Sequence, residues 1–265
     1  MLYYPQLLTG CISQYPITRH TTRRTIVNQL ADGVSIRMAD SGASQTGWGL
    51  SYQHLTLAEV SGLEELFQAA SGSWQTFTFL DPTDNLFAWS EDLAQPVWKL
   101  DPLLALGVGL QDPLGAQAGT KVTNTAQVRQ QLVQTLPIPG SYQYCLSVFV
   151  RSDQPGSIEL FGSAGNAEIH TDVTAGPVWT RVVHPFQISS QTDELSAGIR
   201  LPSGGSVSIF GLQLEAQSGA GGYKKTRDRA GVYSKSRFEE DAFRSIATGV
   251  NQYSCQLRVL CNVAG

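Results

Sequence analysis

The stretch Gln130–Arg151, QQLVQTLPIPGSYQYCLSVFVR, holds two runs of apolar and β-branched residues on either side of a Pro139-Gly140 pair. Each run has the length of an ordinary strand, and Pro-Gly is a strong sequence signal for a turn. The same pattern predicts further strands at 157–161, 179–186, 195–201 and 206–214. Many short strands separated by glycine and proline, with no helix between them, predict a jelly-roll β-sandwich.

The N-terminal part of the chain also predicts β structure. Two alternating apolar runs, Arg24–Leu30 and Val34–Met38, flank an Asp32-Gly33 turn, which is the pattern of a β-hairpin. A small polar loop is expected at Asp40–Thr46, followed by a strand at Gly47–Leu55. Alternation places three large side chains of this strand on one face: Trp48, Leu50 and Tyr52.

One segment predicts a helix. Thr56 followed three residues later by Glu59 is the sequence of a capping box. Apolar residues then recur at helical spacing over Leu57–Ala70. A strand is predicted next at Trp74–Leu80, and Asp81-Pro82 ends it because proline has no N–H for a sheet ladder.

The C-terminal part predicts a split domain. Ser218–Gly222 has the composition of a flexible linker, and one clear apolar run, Tyr253–Leu260, follows it. Because so short a tail cannot form its own core, we expect it to complete the sheet of residues 1–84. Residues 1–84 and 227–265 then share one core, and 85–226 form an inserted domain. The predicted fold class is mainly β, a split β-sandwich or barrel with one helix plus an inserted jelly-roll β-sandwich.

Composition excludes several classes of protein. The 265 residues carry a formal net charge of −4, and only 15% of them are charged. This balance gives no basic stripe for nucleic-acid binding. No run approaches the ~20 apolar residues of a membrane-spanning helix, and the N-terminus lacks the features of a signal peptide. We therefore expect a soluble product of the cytoplasm with no nucleic-acid partner and no membrane insertion.

No pattern of catalytic or metal-binding residues is apparent. The four cysteines are scattered and form no CxxC pair, so buried free thiols are expected: Cys11, Cys145, Cys255 and Cys261. Neither a GxSxG elbow nor a phosphate-binding glycine loop occurs. Adjacent acids at Glu91-Asp92, Asp193-Glu194 and Glu239-Glu240-Asp241 lie in polar segments, where a solvated face is usual. We predict no catalytic residue, no metal site and no enzyme.

Two blocks of sequence resemble phage tail proteins. The run from Ile26 through GWGLSYQHLT at 47–56, the predicted helix, and GSWQTFTFLDPTDN at 72–85 carry the first resemblance. Together they resemble the ring domain of the distal tail protein of long-tailed phages, and of related tail proteins in prophages and gene transfer agents.

The second resemblance covers the predicted insert. Its segments are NLFAWSEDLAQPVW at 85–98, the strand Tyr144–Arg151, the Trp179-Thr180-Arg181 start and the Gly211–Glu215 strand. In this order they resemble a module of phage tail proteins that is similar to carbohydrate-binding jelly rolls.

These resemblances imply a structural virion protein at the tail tip, assembled in the host cytoplasm. They imply a baseplate component, a hexameric ring that joins the tail tube protein to the tail-tip hub proteins, with the inserted module pointing outwards. The alternatives are a glycan-binding receptor-recognition protein and a tail enzyme that degrades polysaccharide.

The resemblance to carbohydrate-binding jelly rolls also suggests candidate ligand sites. Four aromatic residues of the insert are candidates for contact with host-surface polysaccharide: Trp89, Trp98, Tyr142 and Trp179. The alternative is that most of these rings belong to the core, since strand aromatics usually pack inward. No cofactor is expected, although some jelly rolls of this kind hold a structural Ca²⁺. Four residues of the insert offer oxygen ligands for such an ion: Asn85, Glu91, Asp92 and Glu215.

Overall fold

The computed structural model describes residues 1–262, which form two compact units. Unit 1 comprises Met1–Leu8, Ser13–Phe79 and the chain from Tyr233 onward, and unit 2 comprises Thr9–Ile12 and Leu80–Val232. The fold is mainly β with one helix among the described residues, as the sequence predicted. In that part of the chain, no helix is both long and apolar enough to cross a bilayer.

The elements follow one another as sixteen strands and one helix within residues 1–262. Their bounds are β1 Ile17–Gln29, β2 Ser35–Leu55, α1 Leu57–Ala69, β3 Phe77–Leu80, β4 Lys99–Leu100, β5 Leu104–Leu110, β6 Gly119–Asn124, β7 Gln130–Leu136, β8 Gln143–Arg151, β9 Gly156–Ala164, β10 Ala167–Ala175, β11 Thr180–Gln187, β12 Leu195–Leu201, β13 Ser206–Glu215, β14 Val232–Phe238, β15 Ser245–Gly249 and β16 Gln252–Asn262.

Unit 1 is built on a six-stranded sheet in the order β1-β2-β16-β14-β3, with β15 also paired to β16. The sheet therefore combines strands from both ends of the chain. Helix α1 contacts β2 and β16 and buries four apolar residues that follow helical spacing: Val60, Leu63, Leu66 and Phe67.

Aromatic rings fill the core of unit 1. Six of them are at most 2% exposed: Tyr4, Trp48, Tyr52, Phe77, Phe79 and Phe238. The three side chains predicted to share one face of the strand after the hairpin, Trp48, Leu50 and Tyr52, are all buried. The hydroxyls of Tyr4 and Tyr52 lie 2.7 Å apart, and burial raises the pKa of both phenols above the usual value.

The predicted hairpin is confirmed, but the loop predicted at Asp40–Thr46 is wrong. These residues belong to β2, which runs without interruption from Ser35 to Leu55. Their backbone pairs with β1, where Thr22 faces Gln45 and Arg24 faces Asp40 across a register shift. The polar, small-residue composition suggested a loop, whereas cross-strand pairing holds the segment extended.

The predicted helix is confirmed, whereas the strand after it begins later than expected. Strand β3 starts at Phe77, and Trp74 lies in the turn that follows α1. Two backbone hydrogen bonds hold this turn: Gly72 N–H donates to Phe67 O at 3.0 Å, and Gln75 N–H donates to Ala70 O at 2.9 Å. Trp74 and Thr76 are residue types that favour strands, so sequence alone extended the strand too far.

Unit 2 is a jelly-roll β-sandwich of two five-stranded antiparallel sheets. We name them after a central strand: the β9 sheet has the order β10-β9-β12-β7-β4, and the β8 sheet has the order β11-β8-β13-β6-β5. Alternate side chains of β8 form part of the core between the sheets and are fully buried: Tyr144, Leu146, Val148 and Val150. Strands β7 and β12 have the bounds that the sequence predicted.

Three long strands of unit 2 were not predicted, namely β5, β6 and β10. Strands β5 and β10 lie at the sheet edges, and most of their side chains are exposed. Strand β10 is mostly polar and so lacks the apolar alternation by which strands are recognised. Strand β5 has that alternation, but its glycines and the neighbouring prolines indicate an irregular stretch.

The four cysteines are free thiols, as predicted. Cys145, Cys255 and Cys261 are buried, whereas Cys11 is partly exposed. Burial raises the pKa of the Cys145 and Cys255 thiols to about 11, which keeps these groups protonated at neutral pH.

The cap of α1 gives a direct test of the helix start. The Thr56 hydroxyl accepts from Glu59 N–H at 3.3 Å, and the Glu59 carboxylate accepts from Thr56 N–H at 2.8 Å. We expect Thr56→Ala to lower the free energy of unfolding by about 1 kcal/mol, and Thr56→Ser to lower it by less than about 0.5 kcal/mol. Urea unfolding followed by circular dichroism measures both, and equal losses would contradict the capping role.

Candidate assembly and ligand-binding surfaces

The distal part of the β1–β2 hairpin projects from the sheet of unit 1. Strand β16 pairs with β2 as far as the Asn262–Gln45 pair, and Gln45 faces Thr22 of β1. Between Thr22 and Gln45, each strand of the hairpin pairs with the other strand alone among the described residues. We call residues 22–45 the hairpin arm.

One face of the hairpin arm is mainly apolar, with Asn28 as a polar member. In its register Ile26 faces Met38 and Asn28 faces Ile36, which places these four side chains on the same side of the ribbon. Leu30 and Val34 flank the turn and continue this alternation. Five large apolar side chains on this face are 40–54% exposed: Ile26, Leu30, Val34, Ile36 and Met38. On the other face, Val27 lies opposite Arg37.

The hairpin arm lacks the packing that a ribbon of this kind needs. A two-stranded hairpin is marginally stable in water and gains stability from a third strand or from burial of one face. Each of these apolar side chains has a large exposed fraction in the single chain. A contiguous exposed apolar face marks a site of association, because covering it removes apolar surface from water.

In unit 2, a buried asparagine joins two segments that are distant in the sequence. Asn85 is 0% exposed, and its Nδ2 donates to Leu212 O at 2.9 Å. Its Oδ1 accepts from the backbone N–H groups of Phe87 and Leu214, each at 3.0 Å. One amide side chain therefore satisfies several buried backbone groups of two distant segments.

Tyr223 adds further contacts between the same two regions and packs on the β8 sheet. Its hydroxyl lies 2.9 Å from Ser90 Oγ and donates to Glu91 Oε1 at 3.0 Å, and its ring packs against Phe210. Gly211 lies beneath the ring with a φ of +67°, and a Cβ there would be 2.8 Å from Tyr223 Cε2. The motif glycine is needed for both its backbone conformation and this close approach.

The four residues predicted as possible Ca²⁺ ligands all form hydrogen bonds or ion pairs with other residues of the chain. Glu215 is 2% exposed and bonds Lys224, Gln213 Nε2 and Gly221 N–H. Glu91 pairs with Lys225. Asp92 Oδ2 accepts from Gln95 Nε2 at 2.7 Å, and the Asn85 amide is committed to backbone groups as described above. Each of these four residues therefore has a hydrogen-bond or ion-pair partner within the chain, and Ca²⁺ binding stays a prediction.

Two of the four predicted glycan-contact residues lie together near the start of unit 2. Trp98 is 3% exposed, its ring packs against Phe87, and its Nε1–H donates to Trp89 O at 3.1 Å. Trp98 therefore presents no ring face to a ligand in solution. Trp89 is partly exposed and has a φ of +53°.

The other two predicted residues lie at opposite ends of strand β8. Tyr142 precedes β8, and its ring stacks on Tyr144. Trp179 precedes β11, its Nε1–H donates to Gln111 O at 3.2 Å, and the Arg151 guanidinium at the end of β8 lies 5.6 Å from its ring. A nine-residue strand separates the two positions by about 30 Å, so the four aromatic residues form no single surface. Glycan contact by Trp89, Tyr142 or Trp179 stays a prediction.

The outer face of the β9 sheet holds a charged cluster that sequence reasoning missed. Arg200 lies 3.7 Å above the Phe161 ring and donates to Glu159 at 2.9 Å. Its two terminal nitrogens also bind Glu168 at 2.6 and 2.5 Å. Glu159, Glu168 and His170 have ligand atoms within 4.8 Å of one another, but the guanidinium already supplies the positive charge there.

This arrangement joins residues of three different strands. Register places Arg200 of β12 opposite Glu159 of β9, and Glu168 lies on the neighbouring β10. In the sequence, this cluster corresponds to charged residues at outward positions of neighbouring strands. Such a signal can be recognised only when the pairing of the strands is known. The Arg200 hydrogen bonds hold the pKa of Glu168 below its usual range.

Comparison with known proteins gives similarity in solved structures only. No protein-family model matches the sequence, and no curated protein matches it. The CBM22-1 xylan-binding domain of Paenibacillus barcinonensis Xyn10C is 12% identical, with 53% of this chain and 99% of that chain covered and a TM-score of 0.42. The CBM22-1-GH10 modules of Clostridium thermocellum xylanase 10B are 15% identical, with 51% and 28% covered and a TM-score of 0.39.

A phage protein is also among the similar structures. The enzymatically active domain of bacteriophage CBA120 tailspike protein 4 is 11% identical, with 52% of this chain covered and a TM-score of 0.40. This chain covers 22% of that tailspike chain. These likenesses concern the fold of about half of the chain, and at such scores they carry no inference about ligand or activity.

The close approach of Gly211 to Tyr223 predicts a specific stability loss. Gly211→Ala introduces a Cβ at positive φ and against the ring, so we expect the free energy of unfolding to fall by about 1–3 kcal/mol. Gly219→Ala is the matched control, because a Cβ there meets nothing within 4 Å. Thermal unfolding of the two variants compares them, and equal melting temperatures would refute the role given to Gly211.

The Glu168–Arg200 pair predicts a stability difference that depends on pH. Because the folded-state pKa of Glu168 is lowered, its stabilisation is present above the unfolded value of about 4.3 and is lost as pH falls through the folded pKa. Glu168→Gln should therefore destabilise the protein near neutral pH, and this difference should shrink at about pH 3.

Urea unfolding of wild type and Glu168→Gln at both pH values measures this difference. In an Arg200→Met background, which lacks the guanidinium, the Glu168→Gln substitution should have little pH-dependent effect. A destabilisation of the same size at both pH values would exclude the ion pair as its cause.

Proposed function

We propose that this chain is a structural, non-enzymatic virion protein of a phage-type tail that assembles into a ring through its hairpin arm. The observation that carries the proposal is the apolar face of the arm, with Ile26, Ile36 and Met38 each at least 40% exposed on one side of an unsupported ribbon. In the proposed assembly this face lies against unit 1 of the next copy.

Ring formation follows from the kind of contact proposed. An arm that binds a different surface of an identical neighbour makes a heterologous contact, and such contacts close into a ring when the rotation between copies allows it. The arm and the sheet that anchors it belong to the same unit, so each copy can both give and receive an arm. The resemblance of residues 26–85 to distal tail proteins supports six copies, placed at the tail tip between the tail tube and the hub.

Structural function accounts for the polar groups described above. Asn85, Tyr223 and Glu215 have their bonding capacity taken up by the chain itself, which suits a junction that holds a fold together. Glycan recognition by unit 2 is the alternative function, and it rests on the partly exposed rings of Trp89 and Trp179.

A charge on the apolar face of the arm should prevent assembly. We expect the full-length protein to form oligomers that dissociate at least about tenfold more readily when Ile36 is replaced by glutamate, because the buried carboxylate would lose its water. Val27→Glu is the matched control: Val27 is 49% exposed, Ile36 is 44% exposed, and the two lie on opposite faces of the ribbon. Analytical ultracentrifugation over a concentration series measures the masses.

Circular dichroism of each variant checks that the fold is retained. A wild-type chain that stays monomeric at all concentrations, alone and in particle extracts, would overturn the proposal. Equal oligomerisation of Ile36→Glu and wild type would exclude the arm as the contact.

A further inference from the structure

The turn after α1 presents an exposed tryptophan in a shallow surface pocket of unit 1. Trp74 is 70% exposed, although tryptophan is one of the most apolar side chains and is highly buried on average. Polar side chains from α1, β14 and the segment after β14 line the same pocket, among them Gln68, Arg237 and Asp241. The aromatic ring therefore stands beside several hydrogen-bonding groups.

The backbone that carries Trp74 is held in place from two sides. Asp241 Oδ1 accepts from Ser73 N–H at 2.8 Å and from Ser73 Oγ at 2.7 Å. These bonds lower the pKa of the Asp241 carboxyl. The N–H of Trp74 donates to Ser71 O at 3.4 Å, and a Cβ at Gly72 would lie 2.6 Å from Asp241 Oδ1. Such a turn fixes the backbone that carries the ring before any ligand arrives, which reduces the entropy cost of binding.

The polar groups around the ring keep free bonding capacity within the described residues. Asp241 uses one carboxylate oxygen for Ser73, which leaves Oδ2 as an acceptor. Arg237 makes one long bond, from Nη1 to Ser73 O at 3.4 Å. The exposed Gln68 amide adds donors and an acceptor. Planar acid, amide and guanidinium groups of this kind can each bond two neighbouring hydroxyls.

We propose that this pocket is a carbohydrate-binding site for neutral hexopyranose units of a polysaccharide. The apolar face of one sugar ring would stack on the Trp74 indole, and Asp241, Arg237 and Gln68 would bond its hydroxyls. This site lies in unit 1, apart from the aromatic candidates of unit 2, and it requires neither the ring nor the hairpin arm.

The surroundings of Trp74 favour a sugar over a protein partner. Protein hot spots are aromatic residues in dry, closely packed pockets that exclude water. Among the residues lining this pocket, the other aromatic side chain, Phe67, is 8% exposed. A single exposed ring surrounded by solvated polar groups instead matches a ligand that has one apolar face and a rim of hydroxyls.

The test uses the full-length protein and a panel of defined hexasaccharides: maltohexaose, cellohexaose, laminarihexaose and mannohexaose. Saturation-transfer NMR detects binding, and isothermal titration gives the affinity. We expect at least one of these oligosaccharides to bind, and Trp74→Ala to weaken its binding by about tenfold or more. Trp74→Phe, which keeps an aromatic face, should weaken it less.

Leu57→Ala is the matched control, since Leu57 is 55% exposed at the other end of α1. This substitution should leave the affinity unchanged. Circular dichroism of every variant checks folding, and Asp241→Asn, which keeps an acceptor for Ser73, supplies a second variant of the site with an expected loss of affinity.

Binding that survives Trp74→Ala unchanged, or no binding by any member of the panel, would overturn the proposal. Oligomers that dissociate in Trp74→Ala, together with no oligosaccharide binding, would identify the pocket as a protein contact and would also overturn it. Loss of oligosaccharide binding with intact oligomers supports it, and this result is independent of the arm experiment.

Discussion

The pairing of β16 with β2 is the interaction on which unit 1 depends. It joins strands from opposite ends of the described chain, with Leu257 facing Leu50 and Val259 facing Trp48. Without β16, strand β2 would have only β1 beside it, and a two-stranded ribbon is marginal in water. The pairing also gives β14 and β15 their partner and gives α1 a surface to pack on. Because the contact is so distant in sequence, its loop-closure entropy must be offset by the burial that it makes possible.

The same pairing decides where the core sheet ends and where the hairpin arm begins. From Gln45 to Leu55, strand β2 has a neighbouring strand on each side, and the side chains on its inner face are buried. Beyond Gln45 the described ribbon has two strands, and past the polar residues 40–45 the apolar alternation resumes at Met38, Ile36 and Val34 without a cover. Alternating apolar residues therefore form part of the core in one half of β2 and an exposed face in the other half. The difference lies in the number of neighbouring strands, since alternation itself is the same in both halves.

In unit 2, two segments that are distant in the sequence also depend on contact with each other. Segments near Asn85 and near Leu212 meet through one buried amide, and Tyr223 adds hydroxyl contacts to Ser90 and Glu91. Buried backbone groups need hydrogen-bond partners. Because the two segments bond each other, the buried backbone groups of both have partners. The sequence blocks that resemble a tail-protein module thus include the residues of this junction. The contacts of this junction account for their spacing.

Local physical chemistry in the sequence was sufficient for several features of this protein. Four examples depend on residues close in the chain: the α1 cap at Thr56, the Asp32-Gly33 hairpin turn, the common face of Trp48 and Leu50, and strands such as β7. Tertiary structure alone decided that Trp98 is buried and Trp74 exposed, that residues 40–46 are strand, and that Arg200 meets Glu159 and Glu168. The reason is that burial and ion pairing are set by whichever strand or turn lies opposite.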